Sequence, residues 1–105
     1  MTVIFHPEFP KDIRNFESGY AEISSGLALR FRAEIEVAVA AVKSSPQSAG
    51  HFLNLGSSIV PEFRRRNLKA FPHFILYGIV GDLLIFGSVI PSRSDPLTWL
   101  AQFDR

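Results

Sequence analysis

The sequence contains no cysteine, one methionine and one tryptophan in 105 residues. Without cysteine it can form no disulfide, no zinc–thiolate site and no thiol nucleophile, which agrees with a reducing cytosol. The longest apolar runs, around 74–80 and 83–91, are interrupted and shorter than the roughly 20 residues of a membrane span. The opening MTVIFHPEFPKD also lacks the basic start of a secretory signal. We therefore expect a cytoplasmic protein that makes no contact with a membrane.

The chain also lacks an excess of charge of either sign. Eleven Lys and Arg residues stand against ten Asp and Glu residues, a formal net charge of +1. Dedicated nucleic-acid binders usually carry a clearer positive excess, because neutralising phosphates supplies much of their affinity. A nucleic-acid site would therefore need local clustering of positive charge, and Arg64, Arg65 and Arg66 provide one such cluster.

What the sequence does contain is enough apolar material for one core. Hydrophobic residues make up 47% of the chain, and ten of the 105 residues are phenylalanine. A chain of this length buries roughly two thirds of its unfolded surface on folding, which supports a core without disulfides or metals. The composition predicts a single domain over residues 1–105.

Two amphipathic helices are predicted after a short first strand, TVIF at 2–5, which Pro7 ends. Each helix has apolar residues at intervals of three or four, which places them on one helical face. Between the helices lie Ser24, Ser25 and Gly26, so we expect an antiparallel helix hairpin with Gly26 in a left-handed C-terminal position. The two apolar stripes are Phe9, Ile13, Phe16, Tyr20 and Ile23, and then Leu27, Phe31, Ile35, Val39 and Val42.

The second half of the chain predicts strands. Residues 46–61 are rich in Pro, Ser and Gly, which is typical of a loop, and strand-like runs follow at 62–68, 73–80 and 83–90. The last two runs flank Gly81-Asp82, a two-residue loop of the kind that closes a tight hairpin. The predicted pairs in that hairpin are Val80 with Leu83, Tyr77 with Phe86, and Phe74 with Val89.

A short helix is expected at the end of the chain, because Asp95 suits the N-cap and Pro96 the first helical position. The predicted element order is β-α-α-β-β-β-α. This is an α+β fold in which the helix hairpin packs on one face of a small, mainly antiparallel sheet.

The predicted hairpin has two apolar faces. One carries Phe74, Leu76, Gly78, Val80, Leu83, Ile85, Gly87 and Val89. We assign this face to the helices, because its glycines allow close approach. The other carries His73, Ile75, Tyr77, Ile79, Leu84, Phe86, Ser88 and Ile90. Two helices cannot cover both faces, so we expect a partner to cover the second one. The alternative is that the chain's own tail, through Trp99 and Phe103, or a second copy of the chain covers it.

The arginine cluster begins a predicted strand, so its members alternate between the two faces. Phe63, Arg65 and Asn67 share one face, and Arg64 and Arg66 the other. A charged edge that discourages aggregation is the simpler interpretation, and a binding site for an acidic partner or a phosphate is the alternative. Arg93 follows the last predicted strand and is expected to approach this cluster.

Patterns for other chemistry are missing. His6, His51 and His73 do not have the spacing of metal ligands, and a structural role is favoured for them. No serine lies in a nucleophile elbow, and there is no glycine-rich phosphate loop. Neither a metal nor a cofactor is therefore expected, and the residues alone leave open whether the protein is an enzyme.

Four segments carry a resemblance to a known family. They are FHPEF at 5–9, GLALRFRAEIEVAVAAVKSSP at 26–46, RRRNLKAFPHFILY at 64–77 and SRSDPLTW at 92–99. In this order they resemble the RelE/ParE superfamily of type II toxin–antitoxin toxins, and in particular its ParE-like plasmid-stabilisation branch. The resemblance implies a bacterial, cytoplasmic growth inhibitor that a cognate antitoxin neutralises. It leaves open a homo-oligomer or a toxin–antitoxin hetero-oligomer.

The resemblance implies two alternative targets. RelE-like members cut messenger RNA on the ribosome with basic side chains and a tyrosine, whereas ParE-like members act on DNA gyrase. By position, Arg65 and Arg93 match two of the basic groups and are the candidate catalytic residues. Asn67 and Phe74 stand where further cations are found, and Trp99 where the tyrosine is found.

Losing those groups removes stabilisation of the negative transition state, so action on DNA gyrase is favoured. The alternatives are a ribosome-dependent mRNA interferase and a degenerate toxin retained to bind the antitoxin. Many relatives have histidine where this chain has Pro91. The residues predicted to contact a partner are Arg64, Arg65, Arg66, His73, Tyr77, Phe86, Arg93 and Trp99.

Overall fold

The computed structural model describes residues 1–53 and 60–93, and they form two helices and a five-stranded sheet. The predicted α+β fold, with the helix hairpin on one face of a mainly antiparallel sheet, is confirmed. Asp95, Trp99 and the predicted C-terminal helix lie outside the described residues. The elements are β1 (Thr2–Phe5), α1 (Glu8–Ile23), α2 (Ser25–Ser44), β2 (His51–Leu53), β3 (Glu62–Asn67), β4 (His73–Val80) and β5 (Leu83–Pro91).

The two helices meet at Ser24, which ends α1 and starts α2. Ser24 has extended backbone, and its Oγ accepts a 3.0 Å hydrogen bond from the amide of Leu27, so it caps α2. The expected left-handed Gly26 is wrong, because Gly26 lies in the first turn of α2 and the only positive φ among the described residues is at Gly81. Neither helix is long and apolar enough to cross a membrane.

The sheet has the strand order β1-β5-β4-β3-β2. β1 runs parallel to β5, and the other neighbours are antiparallel. The segment predicted as a loop at 46–61 contains β2, which pairs His51 with Arg65 and Leu53 with Phe63. Three residues are too few to show a strand period in the sequence, so this strand was missed.

The β4–β5 hairpin turns at Gly81, whose φ of 56° suits glycine. Val80 pairs with Leu83 and Tyr77 with Phe86, as predicted. The pairing then shifts by one residue between Leu76 and Tyr77, so Phe74 pairs with Ile90 and the predicted pair Phe74–Val89 is wrong. The extra residue in β5 is a β-bulge, which also moves Val89 and Ile90 to opposite faces from those predicted.

The helices cover the face of the sheet that we assigned to a partner. Ile75, Tyr77, Ile79, Leu84, Phe86 and Val89 pack in one buried cluster with Phe9, Ile13, Phe31, Ile35 and Val42 of the helices. We call this the helix face. Its large side chains fill the gap between a sheet and two helices, which small residues and glycines would leave empty.

The opposite face, which we call the distal face, holds a smaller cluster: Val60, Phe63, Phe74, Leu76 and Ile90, with Leu53 and Val80 at its margin. Gly78 allows another segment to approach the sheet closely, as expected, but that segment is the chain before β3 and not a helix. A Cβ on Gly78 would lie 2.7 Å from Cγ1 of Val60. The space above Gly78 therefore belongs to the chain entering β3 and not to a helix.

Candidate partner-binding face

The three arginines of β3 divide between the two faces. Phe63, which precedes them, belongs to the distal cluster, so alternation puts Arg65 and Asn67 on the distal face. Arg64 and Arg66 lie on the other side. The predicted alternation is confirmed, and it gives the three arginines different surroundings.

Arg64 and Arg66 hold the segment that joins α2 to β2. Arg64 Nη1 donates a 2.9 Å hydrogen bond to the carbonyl of Gly50, and its Nε pairs with the Glu62 carboxylate. Arg66 Nη1 donates a 2.9 Å hydrogen bond to the carbonyl of Ala49. Both guanidinium groups are thus used inside the fold, and we assign them a structural role.

Arg65 has a different environment. Its Cζ lies 3.9 Å from the centroid of the Phe74 ring, a cation–π distance, and its Nε donates a 3.0 Å hydrogen bond to Oδ1 of Asn67. The side chain is half-buried. Phe74 and Asn67, the positions where the resemblance places further cations, therefore serve as supports for a single arginine.

His51 is a further residue of this face, and the sequence analysis missed it. It lies directly opposite Arg65 across the β2–β3 pair, so both side chains point to the distal face. His51 is exposed. Only recognition of β2 would have revealed the pairing, and this strand has three residues.

Arg93 is exposed and follows the end of β5. The two arginines lie at different heights in the sheet. Arg65 is level with Leu76 of β4 and Ser88 of β5. Arg93 lies beyond the last pair of the β4–β5 hairpin, His73 with Pro91. The strands that carry the two arginines are two spacings apart, or about 10 Å. That Arg93 acts together with Arg65 stays a prediction.

Three residues predicted to contact a partner are buried by the protein's own helices. Tyr77 and Phe86 are fully buried, and His73 is 5% exposed. The prediction is wrong for these three, because it rested on the reversed assignment of the two faces. Tyr77 instead donates a 2.6 Å hydrogen bond from its hydroxyl to the carbonyl of Pro46, and burial raises its pKa.

His73 lies among the aromatic side chains between α1 and the sheet. Its Nε2 shares a 2.8 Å hydrogen bond with the Tyr20 hydroxyl, and its ring centroid is 4.3 Å from that of Phe16. Burial lowers the pKa of His73 and raises that of Tyr20. Nδ1 of His73 has no partner among the described residues. The structural role favoured for this histidine agrees with these contacts.

Asp12 of α1 is a buried carboxylate that the sequence analysis missed. Its Oδ2 accepts a 3.1 Å hydrogen bond from the amide of Val89, next to the bulge in β5. Burial raises the pKa of Asp12 from 3.8 to about 6, against the opposing effect of the Val89 amide. The carboxylate supplies an acceptor where the bulge interrupts the strand ladder, so its role is structural.

Within residues 1–53 and 60–93, no group of three His, Asp or Glu side chains is placed to hold a metal ion. The chemistry that the distal face offers among those residues is therefore that of Arg65, His51 and Asn67. This set can bind an anion through charge-assisted hydrogen bonds.

Comparison with known proteins gives a likeness in structure. No protein-family model matches the chain, and no curated protein sequence is similar to it. Among solved structures, a chain of the chromosomal ParDE TA (toxin–antitoxin) system from P. aeruginosa is similar, with a TM-score of 0.70 and 18% identity. The match covers 87% of this chain and 95% of that one. The two chains share a fold.

The identity of 18% leaves most side chains different. What the distal face binds must therefore be argued from the residues of this chain, above all from Arg65 and its supports.

Proposed function

We propose that the protein is the toxin of a type II toxin–antitoxin system, that a cognate antitoxin neutralises it, and that it inhibits growth by acting on DNA gyrase. The observation that carries the proposal is the fold it shares with a chain of the ParDE system over 87% of its length. The four segments that resemble the RelE/ParE superfamily support the same conclusion from the sequence. A bacterial cytoplasm is the setting that this function requires.

Action by binding, without cleavage of RNA, is supported by the surroundings of Arg65. Cleavage of a phosphodiester needs several groups to stabilise the developing negative charge. Here Asn67 and Phe74 hold Arg65 in position and add no charge of their own. Arg64 and Arg66 are engaged with Glu62 and with loop carbonyls.

A ribosome-dependent mRNA interferase is the second candidate. One observation favours it: His51, a residue type that can transfer protons at neutral pH, lies opposite Arg65. A degenerate toxin that only binds an antitoxin is the third candidate, and the same fold would serve it.

Induced expression in a bacterial host separates the three candidates. Action on gyrase predicts filamentous cells and a DNA-damage response, with messages intact. Cut messages and arrested translation would establish the interferase instead, and unaffected growth would establish the degenerate toxin. A small protein encoded by the neighbouring gene should co-purify with the toxin and restore growth when co-expressed.

The proposal also predicts that the protein does not cleave RNA. We expect purified protein to leave free RNA intact, because Asn67 and Phe74 replace cations. Cleavage of message on purified ribosomes, lost in His51→Ala and in Arg65→Ala, would contradict the proposal.

A further inference from the structure

We propose that Arg65 is a preformed receptor for a carboxylate, and that its ligand is an Asp or Glu side chain of the antitoxin. The site consists of Arg65 with its two supports, Asn67 and Phe74, and His51 beside it. The choice of the antitoxin as partner rests on the proposed function, whereas the carboxylate site itself does not.

The guanidinium group of Arg65 is held on two sides. The guanidinium carbon lies over the Phe74 ring, 3.9 Å from its centroid, and Nε donates a 3.0 Å hydrogen bond to Asn67 Oδ1. Phe74 is fully buried, so it cannot easily move away. Neither Nη1 nor Nη2 of Arg65 donates a hydrogen bond within residues 1–53 and 60–93.

This arrangement leaves the two Nη groups as a fork of fixed orientation. A free arginine side chain loses much rotamer freedom when it binds an anion, and here the fold has already restricted that freedom. Two parallel N–H groups match the two oxygens of a carboxylate. A solvated arginine would not need the contacts with Phe74 and Asn67. A preformed receptor does need them, because they hold the guanidinium group in position.

The balance of charge favours a carboxylate of a protein over a phosphate of a nucleic acid. Binding of a nucleic acid depends on the neutralisation of several phosphates. The chain carries a net charge of only +1, and Arg64 and Arg66 are engaged elsewhere. A single fork, unpaired among the residues that the structure describes, is suited to one carboxylate.

The neighbourhood of Arg65 also suits a protein segment. Leu53, at the margin of the distal cluster and opposite Phe63 in β3, is a half-buried apolar residue. His51 offers a further ring nitrogen on the same face. A protein segment with an acidic residue next to apolar ones could pair its carboxylate with Arg65 and pack its apolar side chains beside it.

Titration of the ¹⁵N-labelled protein tests the site. The probes are the peptides acetyl-Gly-Glu-Gly-amide and acetyl-Gly-Gln-Gly-amide, and a uridine dinucleotide, with the Arg65 Nε–H signal as the readout. We expect the glutamate peptide to bind at least tenfold more tightly than the glutamine peptide and more tightly than the dinucleotide. Equal binding of the two peptides would overturn the proposal, and tighter binding of the dinucleotide would replace it with a nucleic-acid site.

Variants separate preorganisation from charge alone. Backbone amide spectra show that each remains folded, and the amide signals of β3 report binding, because Arg65→Lys lacks the Nε–H signal. Arg65→Lys keeps the charge and removes the fork, so we expect at least a tenfold loss of affinity for the glutamate peptide. Asn67→Ala keeps the fork and removes its support, with an expected loss of threefold or more. The control Arg30→Lys, on exposed helical surface, should change nothing. An unchanged affinity in both Arg65→Lys and Asn67→Ala would overturn the proposal.

This experiment and the growth assay can fail separately. Loss of the titration with intact growth inhibition and antitoxin capture would overturn the carboxylate site and leave the proposed function standing. Binding of the glutamate peptide by a protein that neither inhibits growth nor captures an antitoxin would support the site and overturn the proposed function.

Discussion

On the helix face of the sheet, Tyr77 and Phe86 are fully buried beneath α1 and α2. On the distal face, the neighbouring position in β4 is Gly78, and Val60 from the chain entering β3 fills the space above it. Both faces are apolar and both carry large buried side chains, but only the distal face has a glycine in β4 with a neighbouring segment packed over it. The difference teaches that hydrophobicity alone does not decide which face a helix covers, because on the distal face Val60 takes the space above Gly78 that a helix would otherwise fill.

The faces also differ in how they treat polar groups. Under the helices, Asp12, His73 and Tyr77 each make a hydrogen bond inside the protein. On the distal face, Arg65 is braced by Asn67 and Phe74 while its terminal nitrogens have no partner among the described residues. Polar groups on the first face maintain the fold, whereas the terminal nitrogens of Arg65 take no part in it within residues 1–53 and 60–93.

The largest effect is expected from truncation under the helices. Phe86→Ala should lower the free energy of unfolding by about 3–5 kcal/mol, because it removes a fully buried ring and leaves a cavity. Phe52→Ala is the matched control, since Phe52 lies on the edge strand β2 and is 56% exposed. We expect less than about 1 kcal/mol there. Urea unfolding of both variants checks the comparison, and equal losses would contradict the assignment of the faces.

The next effect is a dependence on pH that comes from Asp12. Its folded pKa of about 6 exceeds the ordinary 3.8, so the folded state binds the proton more tightly. The resulting stability is present below pH 3.8 and is lost as the pH rises through about 6. The loss amounts to at most about 3 kcal/mol.

Asp12→Asn keeps an acceptor for the Val89 amide and removes the titration. Its stability relative to the natural protein should therefore rise between pH 3.5 and pH 7, by up to about 3 kcal/mol in denaturant melts. Asp12→Ala is the control: it also removes the titration, but it leaves the Val89 amide unpaired and should be about 1–3 kcal/mol less stable than Asp12→Asn at every pH. A constant difference between Asp12→Asn and the natural protein would refute the raised pKa.

A smaller effect is expected from the glycine that Tyr77 and the arginine strand enclose. A Cβ on Gly50 would lie 2.6 Å from the Tyr77 hydroxyl oxygen and 2.9 Å from the Arg65 carbonyl oxygen. Gly50→Ala should therefore cost about 1–3 kcal/mol. Gly19→Ala is its counterpart in α1, where a Cβ meets nothing within 4 Å. It should stabilise the protein by about 0.5–1 kcal/mol, and thermal melts that show the same sign for both would contradict the close packing at Gly50.

The smallest effect on stability, combined with the largest effect on function, is expected from Arg65. Arg65→Glu should change the free energy of unfolding by less than about 1 kcal/mol, because the side chain is half-buried and its ring contact is local. It should nevertheless abolish growth inhibition on induction. Arg93→Glu is also predicted to abolish growth inhibition. Full toxicity of both variants would reduce the arginines to solvated surface residues.

Much of the fold could be predicted from local patterns. The intervals of three and four in the stripes of α1 and α2 depend on neighbours a turn away, and the alternation of β4 and β5 depends on neighbours two residues away. The pairing from Val80–Leu83 to Tyr77–Phe86 follows from the two-residue turn. Beyond the bulge the prediction failed, because the bulge is stabilised by Asp12, which lies 77 residues from Val89 in the chain.

The site could also be predicted only where it depends on local patterns. Alternation alone separates Arg65 from Arg64 and Arg66, and the structure confirms it. The engagement of Arg64 and Arg66 with carbonyls at Gly50 and Ala49 follows from how the loop after α2 folds back, which no local pattern encodes. The place of His51 opposite Arg65 likewise depends on a three-residue strand whose partner supplies most of its hydrogen bonds.

The sequence by itself determined the two helices, the β3, β4 and β5 strands, the turn at Gly81 and the separation of the arginines, since all of these depend on residues close along the chain. The tertiary structure alone decided which face the helices cover, where β5 bulges and which arginines the loop after α2 engages. Those outcomes depend on volumes and hydrogen bonds between distant segments: Phe86 against α1 and α2, Val60 over Gly78, and Asp12 at Val89. Periodicity specifies that a strand has two faces, and only packing specifies what each face meets.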